Sequence, residues 1–346
     1  MLRLPRFRME VPRTLDEAAR VLRELGAGQQ DPGTTGMPGM KVLMVAGGTD
    51  VYPNMKRRQL TPEVLVSLRR ALARDVRADG PSAGVTIGAG ATLSSVSAHP
   101  VVRSRYAALA MAAGLVSTPQ LRNMGTIGGN VCLDTRCNWY DESQFWRTAE
   151  GFCMKTHPNV VCRVATSSPR CLAVASADTV PALLALGATV RIQSAQGERS
   201  VDLGELYRED GIRYLTIARD EIVSAVELPP AEGWRSTYLK LRDRGSFDFP
   251  IVGLAAAVRM DGERVAGARV ALTAVASRPI LVDAAAAALR GSRLDDAAIE
   301  AAAEAAFKAA RPMDNTSGTI AQRKRTVSVF ATRALRELRE RRAEAA

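Results

Sequence analysis

Every cysteine of the 346-residue chain lies between residues 132 and 171, in the pattern Cys132-x4-Cys137-x15-Cys153-x8-Cys162-x8-Cys171. No pair has the C-x-x-C spacing of a zinc ribbon or a thioredoxin-type redox site. The count of five is odd, so a disulfide framework would strand one thiol. Four thiolates gathered from a loop suit a [4Fe–4S] cube, which takes one cysteine per iron and tolerates wide spacing. Spacing alone leaves open which four of the five would serve. The same stretch holds Trp139, Tyr140, Phe145, Trp146 and Phe152, enough apolar surface to shield a cluster from water.

A second kind of chemistry is written in glycines. Val45-Ala46-Gly47-Gly48-Thr49-Asp50 follows an apolar run, and Thr126-Ile127-Gly128-Gly129-Asn130 stands some eighty residues downstream. Glycines let main-chain N–H groups approach an anion, because no Cβ stands in the way. Neither loop is a G-x-G-x-x-G fingerprint or a P-loop, and one GG pair after a strand is most simply a turn. Two such loops with a hydroxyl each are more specific, because together they can grip both halves of a pyrophosphate.

Composition bounds what these groups serve. The chain is 47% hydrophobic and 24% charged, as a globular protein is, and it has no apolar run long enough to span a membrane. Its N-terminus is basic without an apolar core, so no secretory signal is expected and the chain is placed in the cytoplasm. There a cysteine cluster is more often a metal site than a disulfide framework. The net charge of +11 is spread out and not interleaved with aromatics, which argues against nucleic acid; it reads most simply as a solvated basic surface, and otherwise as a face that steers an acidic protein partner. His99 and His157 are the only histidines, too few for Ser-His-Asp chemistry or a histidine-rich zinc site.

The elements that would position these residues can be read from periodicity and punctuation. Thr14 and Glu17 have capping-box spacing ahead of an amphipathic helix, LDEAARVLREL. A Gly/Pro-rich loop from Gly26 to Gly39 leads to a strand in KVLMV, with further strands in VLVSL and GVTIG. RYAALAMAAGL reads as a helix, and DTVPALLALGATVRIQS as a helix feeding a strand, with Asp178 as its simplest N-cap. Near 230–236 the composition shifts, and antiparallel strands then Ala-rich helices follow. An α+β unit of about 230 residues with a smaller sheet-plus-helices domain results.

On these motifs the chain resembles the flavin subunits of the molybdenum hydroxylase family, which includes the medium chain of carbon monoxide dehydrogenase and the flavin domain of xanthine dehydrogenase. The likeness also runs through IGAGATLSSV at 87–96, ADTVPALLALGA at 177–188 and YLKLRDRGSFDFPIVGLAAAV at 238–258. It implies an α+β fold with a two-lobed FAD-binding domain of the PCMH type, like that of vanillyl-alcohol oxidase, over 1–232. A CO-dehydrogenase-flavoprotein C-terminal domain would fill 233–346. Carried over by motif, Val45, Ala46, Gly47, Gly48, Thr49 and Asp50 would wrap the FAD diphosphate, with Asp50 also towards the ribose or flavin. Thr126, Gly128, Gly129 and Asn130 would complete that cradle, Asp178 would bind the adenosine ribose, and Lys240 would lie near the flavin ring. No histidine lies in either loop, so the FAD is expected to be non-covalent.

The resemblance also gives the cysteines a place. The family puts the acid matching Asp178 shortly after its asparagine, whereas here 48 positions separate Asn130 from Asp178. Residues 132–171 are thus an insertion directly after a pyrophosphate loop. The stretch is similar to one in the flavin subunit of 4-hydroxybenzoyl-CoA reductase, which implies Cys137, Cys153, Cys162 and Cys171 as the [4Fe–4S] ligands and Cys132 as the spare. The implied role is electron relay between a ferredoxin-type carrier and partner subunits carrying [2Fe–2S] clusters and the molybdenum cofactor, in a dimer of heterotrimers. The alternative keeps the FAD in a molybdenum hydroxylase that oxidises an aromatic or N-heterocyclic substrate.

Overall fold

A computed structural model describes residues 2–27, 41–78, 80, 83–157 and 159–343, with no side-chain detail for 341–343. Most of the expected Gly/Pro-rich loop lies outside them. The first helix, Leu15–Leu25, is capped as its sequence predicts, with the Glu17 N–H donating to Thr14 Oγ1 at 3.1 Å.

Three sheets organise the described residues. Strands β1 (Arg8–Glu10), β2 (Val42–Val45) and β3 (Val64–Ser67) form a parallel sheet in the order β1-β3-β2. Strands β4 (Val76–Ala78), β5 (Val85–Gly88), β6 (Thr189–Ser194), β7 (Gly197–Asp202) and β8 (Ile222–Leu228) form an antiparallel sheet, β4-β5-β8-β6-β7. Strands β9 (Trp234–Leu241), β10 (Val252–Asp261), β11 (Arg264–Thr273) and β12 (Ile280–Leu281) make the third, in the order β12-β11-β10-β9. The first two sheets lie in the expected N-terminal unit and form its two lobes.

The third sheet is shared by two cores. Side chains alternate across a strand, and β10 sends Ala255 and Ala257 into the first core and Leu254, Ala256 and Val258 into the second. Burial on both faces explains why the strand reads as an unbroken apolar run rather than an alternating one. Its second face is covered by the helices Asp283–Leu289, Asp296–Ala309 and Ile320–Ala343. Its first face meets Ala107–Leu115 and Thr179–Leu186, the latter buried on every side because its sequence, TVPALLAL, is apolar throughout. Among the described residues no helix is long and apolar enough to cross a membrane.

Among its described residues the insertion 132–171 has only two short helices, Asn138–Asp141 and Gln144–Ala149. It is held to the helix Val51–Lys56, which directly follows the first glycine loop. Arg147 donates to the carbonyls of Arg57 and Arg58 at 3.3 and 3.0 Å, closing that helix's C-terminal end. Gln59 Nε2 donates to the Tyr140 carbonyl at 2.7 Å.

Candidate functional site

The two glycine loops touch. A Cβ on Gly47 would lie 2.0 Å from the Met124 carbonyl oxygen, so only glycine lets the first loop pass beneath the second. Gly48 has φ +74, a left-handed conformation that glycine adopts without penalty. The N–H groups of Gly47, Gly48, Thr49 and Asp50 make no hydrogen bond among the described residues, leaving an open row of donors. They border a pocket that Val116, Ser117, Thr126, Asn130 and Asp178 also line.

The second loop is built from the same residue types but is closed on itself. The Gly128 N–H donates to the Ala89 carbonyl at 3.0 Å, and the Gly129 N–H to Thr126 Oγ1 at 3.1 Å. Asn130 Oδ1 accepts from the N–H and hydroxyl of Thr179, at 3.2 and 2.6 Å. A Cβ on Gly128 would stand 2.6 Å from that of Ala89. Gly128 and Gly129 line the same pocket, but their N–H groups are spent on Ala89 and Thr126, and the open donors lie in the first loop. Val45 is a buried strand residue beneath that loop.

Asp178 and Lys240 form one structure. Asp178 Oδ1 accepts from the Tyr238 hydroxyl at 2.8 Å and Oδ2 from Lys240 Nζ at 2.9 Å. The Lys240 ammonium also donates to the carbonyls of Leu115 and Asp248, at 3.1 and 2.9 Å. The Asp178 side chain makes no cap hydrogen bond to its helix. Burial raises its pKa, and the neighbouring ammonium opposes that rise. Asp178 borders the pocket, while Lys240, outside the lining, fixes the carboxylate from the C-terminal sheet.

Asp50 is committed to the insertion. Its carboxylate pairs with the buried Arg136 guanidinium and accepts from Asn54 Nδ2 at 3.2 Å. Arg136 also lies 3.6 Å from Asp141 and 4.5 Å from the centre of the Phe249 ring. Sequence reasoning passed over Arg136, although it stands beside Cys137; the partner it meets is 86 residues away. It also passed over Ser176, whose buried hydroxyl has no partner among the described residues and which lines the pocket.

Cys137, Cys153, Cys162 and Cys171 are all buried, none in a disulfide. Burial pushes the thiols of Cys137 and Cys171 up to about 12. Neighbouring sulfurs add to this: Cys171 and Cys153 act on Cys137, and Cys162 and Cys153 act on Cys171. Main-chain N–H groups oppose it, from Trp139 and Tyr140 to Cys137 and from Ala173 to Cys171, the last at 3.5 Å. Cys137 and Cys171 pack in one small cluster with Tyr140, and main-chain donors that favour thiolate reach both sulfurs. Cys132 is separate: it ends the helix Ile127–Val131, borders the flavin pocket, and acts on Tyr207.

No three His, Cys, Asp or Glu side chains among the described residues stand close enough to hold a single metal ion. A cube distributes its cysteines over four irons and asks for a wider nest than one ion does. The expected aromatic shell is only partly there. Tyr140 is fully buried and packs with Ala173 and Ile212, but Phe145 and Trp146 are 74% and 54% exposed and stack edge-on against each other. Arg147 takes the inward side of their helix to reach the Arg57 and Arg58 carbonyls, which turns the aromatics outward.

Comparison with known proteins agrees with this geometry. Residues 5–231 match the FAD binding domain in molybdopterin dehydrogenase, and residues 236–338 the CO dehydrogenase flavoprotein C-terminal domain. The aldehyde oxidoreductase FAD-binding subunit PaoB of Escherichia coli (strain K12) is 31% identical over 311 residues, 85% of this chain and 92% of the relative. The carbon monoxide dehydrogenase medium chain of Hydrogenophaga pseudoflava is 27% identical over 316 residues, 91% of this chain and 90% of that one. A solved structure of carbon monoxide dehydrogenase from that organism, lacking the Mo-pyranopterin moiety of its cofactor, matches with TM-score 0.76 at 26% identity. It covers 96% of this chain and 97% of its own.

Proposed function

The chain belongs to the FAD-binding subunits of the molybdenum hydroxylase family, and on that premise we propose that it relays electrons through FAD and a [4Fe–4S] cluster. The FAD diphosphate lies on the open N–H row of Gly47 to Asp50, with Thr49 and Thr126 supplying hydroxyls and Ser176 a further donor. Bound there, the flavin exchanges electrons one or two at a time. The protein fixes its diphosphate, holds Asp178 against Lys240, and closes one side of the pocket with the insertion. Cys137, Cys153, Cys162 and Cys171 each ligate one iron, and Cys132 ligates none. The observation that carries this reading is four buried thiols in one insertion, Cys137 and Cys171 packed in one cluster and carrying main-chain N–H donors.

The partners in this reading are a large subunit with the molybdenum cofactor and a small subunit with [2Fe–2S] clusters. The relatives are subunits of an aldehyde oxidoreductase, carbon monoxide dehydrogenases and a nicotinate dehydrogenase, which favours a complex that oxidises its substrate and passes electrons outward. A second reading, a 4-hydroxybenzoyl-CoA reductase-like complex fed by a ferredoxin-type carrier, rests on the likeness of the insertion. Steady-state assays on the purified complex separate them. Oxidation of aldehydes or N-heterocycles with an artificial acceptor supports the first. Reductive removal of the phenolic hydroxyl of 4-hydroxybenzoyl-CoA, without such oxidation, overturns it in favour of the second.

A further inference from the structure

Between the flavin pocket and the cysteine nest stands an ion pair with no part in holding either cofactor. Lys155 is 1% exposed. Its Nζ lies 2.6 Å from Asp134 Oδ1, 2.6 Å from Thr135 Oγ1, and 2.8 and 3.2 Å from the carbonyls of Gly211 and Thr135. The Tyr140 and Tyr214 rings flank it, with centres at 4.6 and 5.7 Å. An ammonium so fully coordinated is a fixed charge in a site of low polarisability, where its field reaches further than in water.

The pair has a direction. At its positive end, Lys155 stands two residues from Cys153 and donates to the Gly211 carbonyl. The backbone that holds it is also the wall of the nest: the Gly211 N–H donates to the Cys171 carbonyl at 2.8 Å, and a Cβ on Gly211 would lie 2.8 Å from Cys171 Sγ. At its negative end, Asp134 borders the flavin pocket, and its carboxylate is held by the Thr135 N–H at 2.8 Å and the Tyr140 hydroxyl at 3.2 Å.

We propose that the Asp134–Lys155 pair is an oriented dipole that sets the difference in reduction potential between the cluster and the flavin. The inference rests on the reading that the nest holds [4Fe–4S] and the pocket FAD. The step it governs moves one electron from the reduced cluster to the flavin, or back, with no bond made or broken. Lys155 stabilises the extra negative charge of the reduced cluster and raises its potential. Asp134 opposes the charge of the reduced flavin and lowers the flavin potential. Both ends favour the electron on the cluster side. Lys155 and Asp134 are positioning residues, since neither touches a reacting atom.

The test is an anaerobic redox titration of the purified, cofactor-loaded protein, with the cluster followed by electron paramagnetic resonance and the flavin by absorbance. Lys155→Gln shifts the cluster midpoint downward more than it moves the flavin, and Asp134→Asn shifts the flavin midpoint upward more than it moves the cluster. Where a single variant loses the fold, the double variant removes both charges together and lowers the cluster midpoint relative to that of the flavin. Variants with wild-type FAD and iron whose midpoints stay in place, or move the other way, overturn the inference. Wild-type protein that carries FAD but no iron overturns the underlying cluster reading instead.

Discussion

In the pocket between the glycine loops the open groups are main-chain N–H donors of a glycine turn, placed by a strand, a helix and a neighbouring loop. In the cysteine nest they are side chains, presented by forty residues with almost no regular structure and pinned to the same helix by Arg136, Arg147 and Gln59. The pocket is therefore a property of the fold, and the nest is a property of the insertion resting on it. Damage to one should leave the other largely intact, except at the residues that join them.

The largest separation is expected from Gly47→Val. The added side chain runs into the Met124 carbonyl, a clash with backbone that costs about 1–3 kcal/mol or more in stability. Flavin absorbance of the purified variant should fall to near zero and its melting temperature should drop; stoichiometric FAD would mean that the first loop does not hold the diphosphate. Cys153→Ser makes the converse break. Iron and acid-labile sulfide are lost while FAD stays at the wild-type ratio, and wild-type iron in that variant would exclude Cys153 from the ligand set.

Arg136→Met attacks the joint. It strands Asp50 beside an apolar side chain, and breaking a largely buried pair costs about 3 kcal/mol. Equilibrium denaturation should show that loss, and a weaker FAD affinity should accompany it; an unchanged FAD affinity would uncouple the insertion from the glycine loop. The smallest effect belongs to Cys132→Ser. Iron and FAD should both match wild type, because this thiol stands outside the nest. Loss of iron here would put Cys132 in place of Cys137.

Much of the pocket was legible because its signals are local. Glycine pairs after an apolar run and ADTVPALLAL before a strand are contiguous in sequence, and the structure places them around one cavity. What local reading missed is direction. The two glycine loops share their residue types, yet one leaves its N–H groups open and the other spends them on Ala89 and Thr126. Asp178 reads locally as a helix cap or a ribose ligand; it makes no cap hydrogen bond, and its oxygens meet Tyr238 and Lys240, 60 and 62 residues away, at the edge of the pocket. Apolarity alone assigns the aromatics of the insertion to a shell, but the helix of Phe145 and Trp146 has one inward side and Arg147 occupies it. Arg136 and Lys155 read as ordinary basic residues, since nothing nearby in sequence marks a buried partner. The central place of β8, between β5 and β6, is equally a matter of long-range pairing.

The central claim is that the insertion holds an iron–sulfur cluster next to a flavin. Counting iron, acid-labile sulfide and FAD in the anaerobically purified chain, free of partner subunits, tests it most directly. About four iron and four sulfide per FAD, with a signal from the reduced cluster in electron paramagnetic resonance, is the predicted result. Full FAD occupancy with no iron would contradict it.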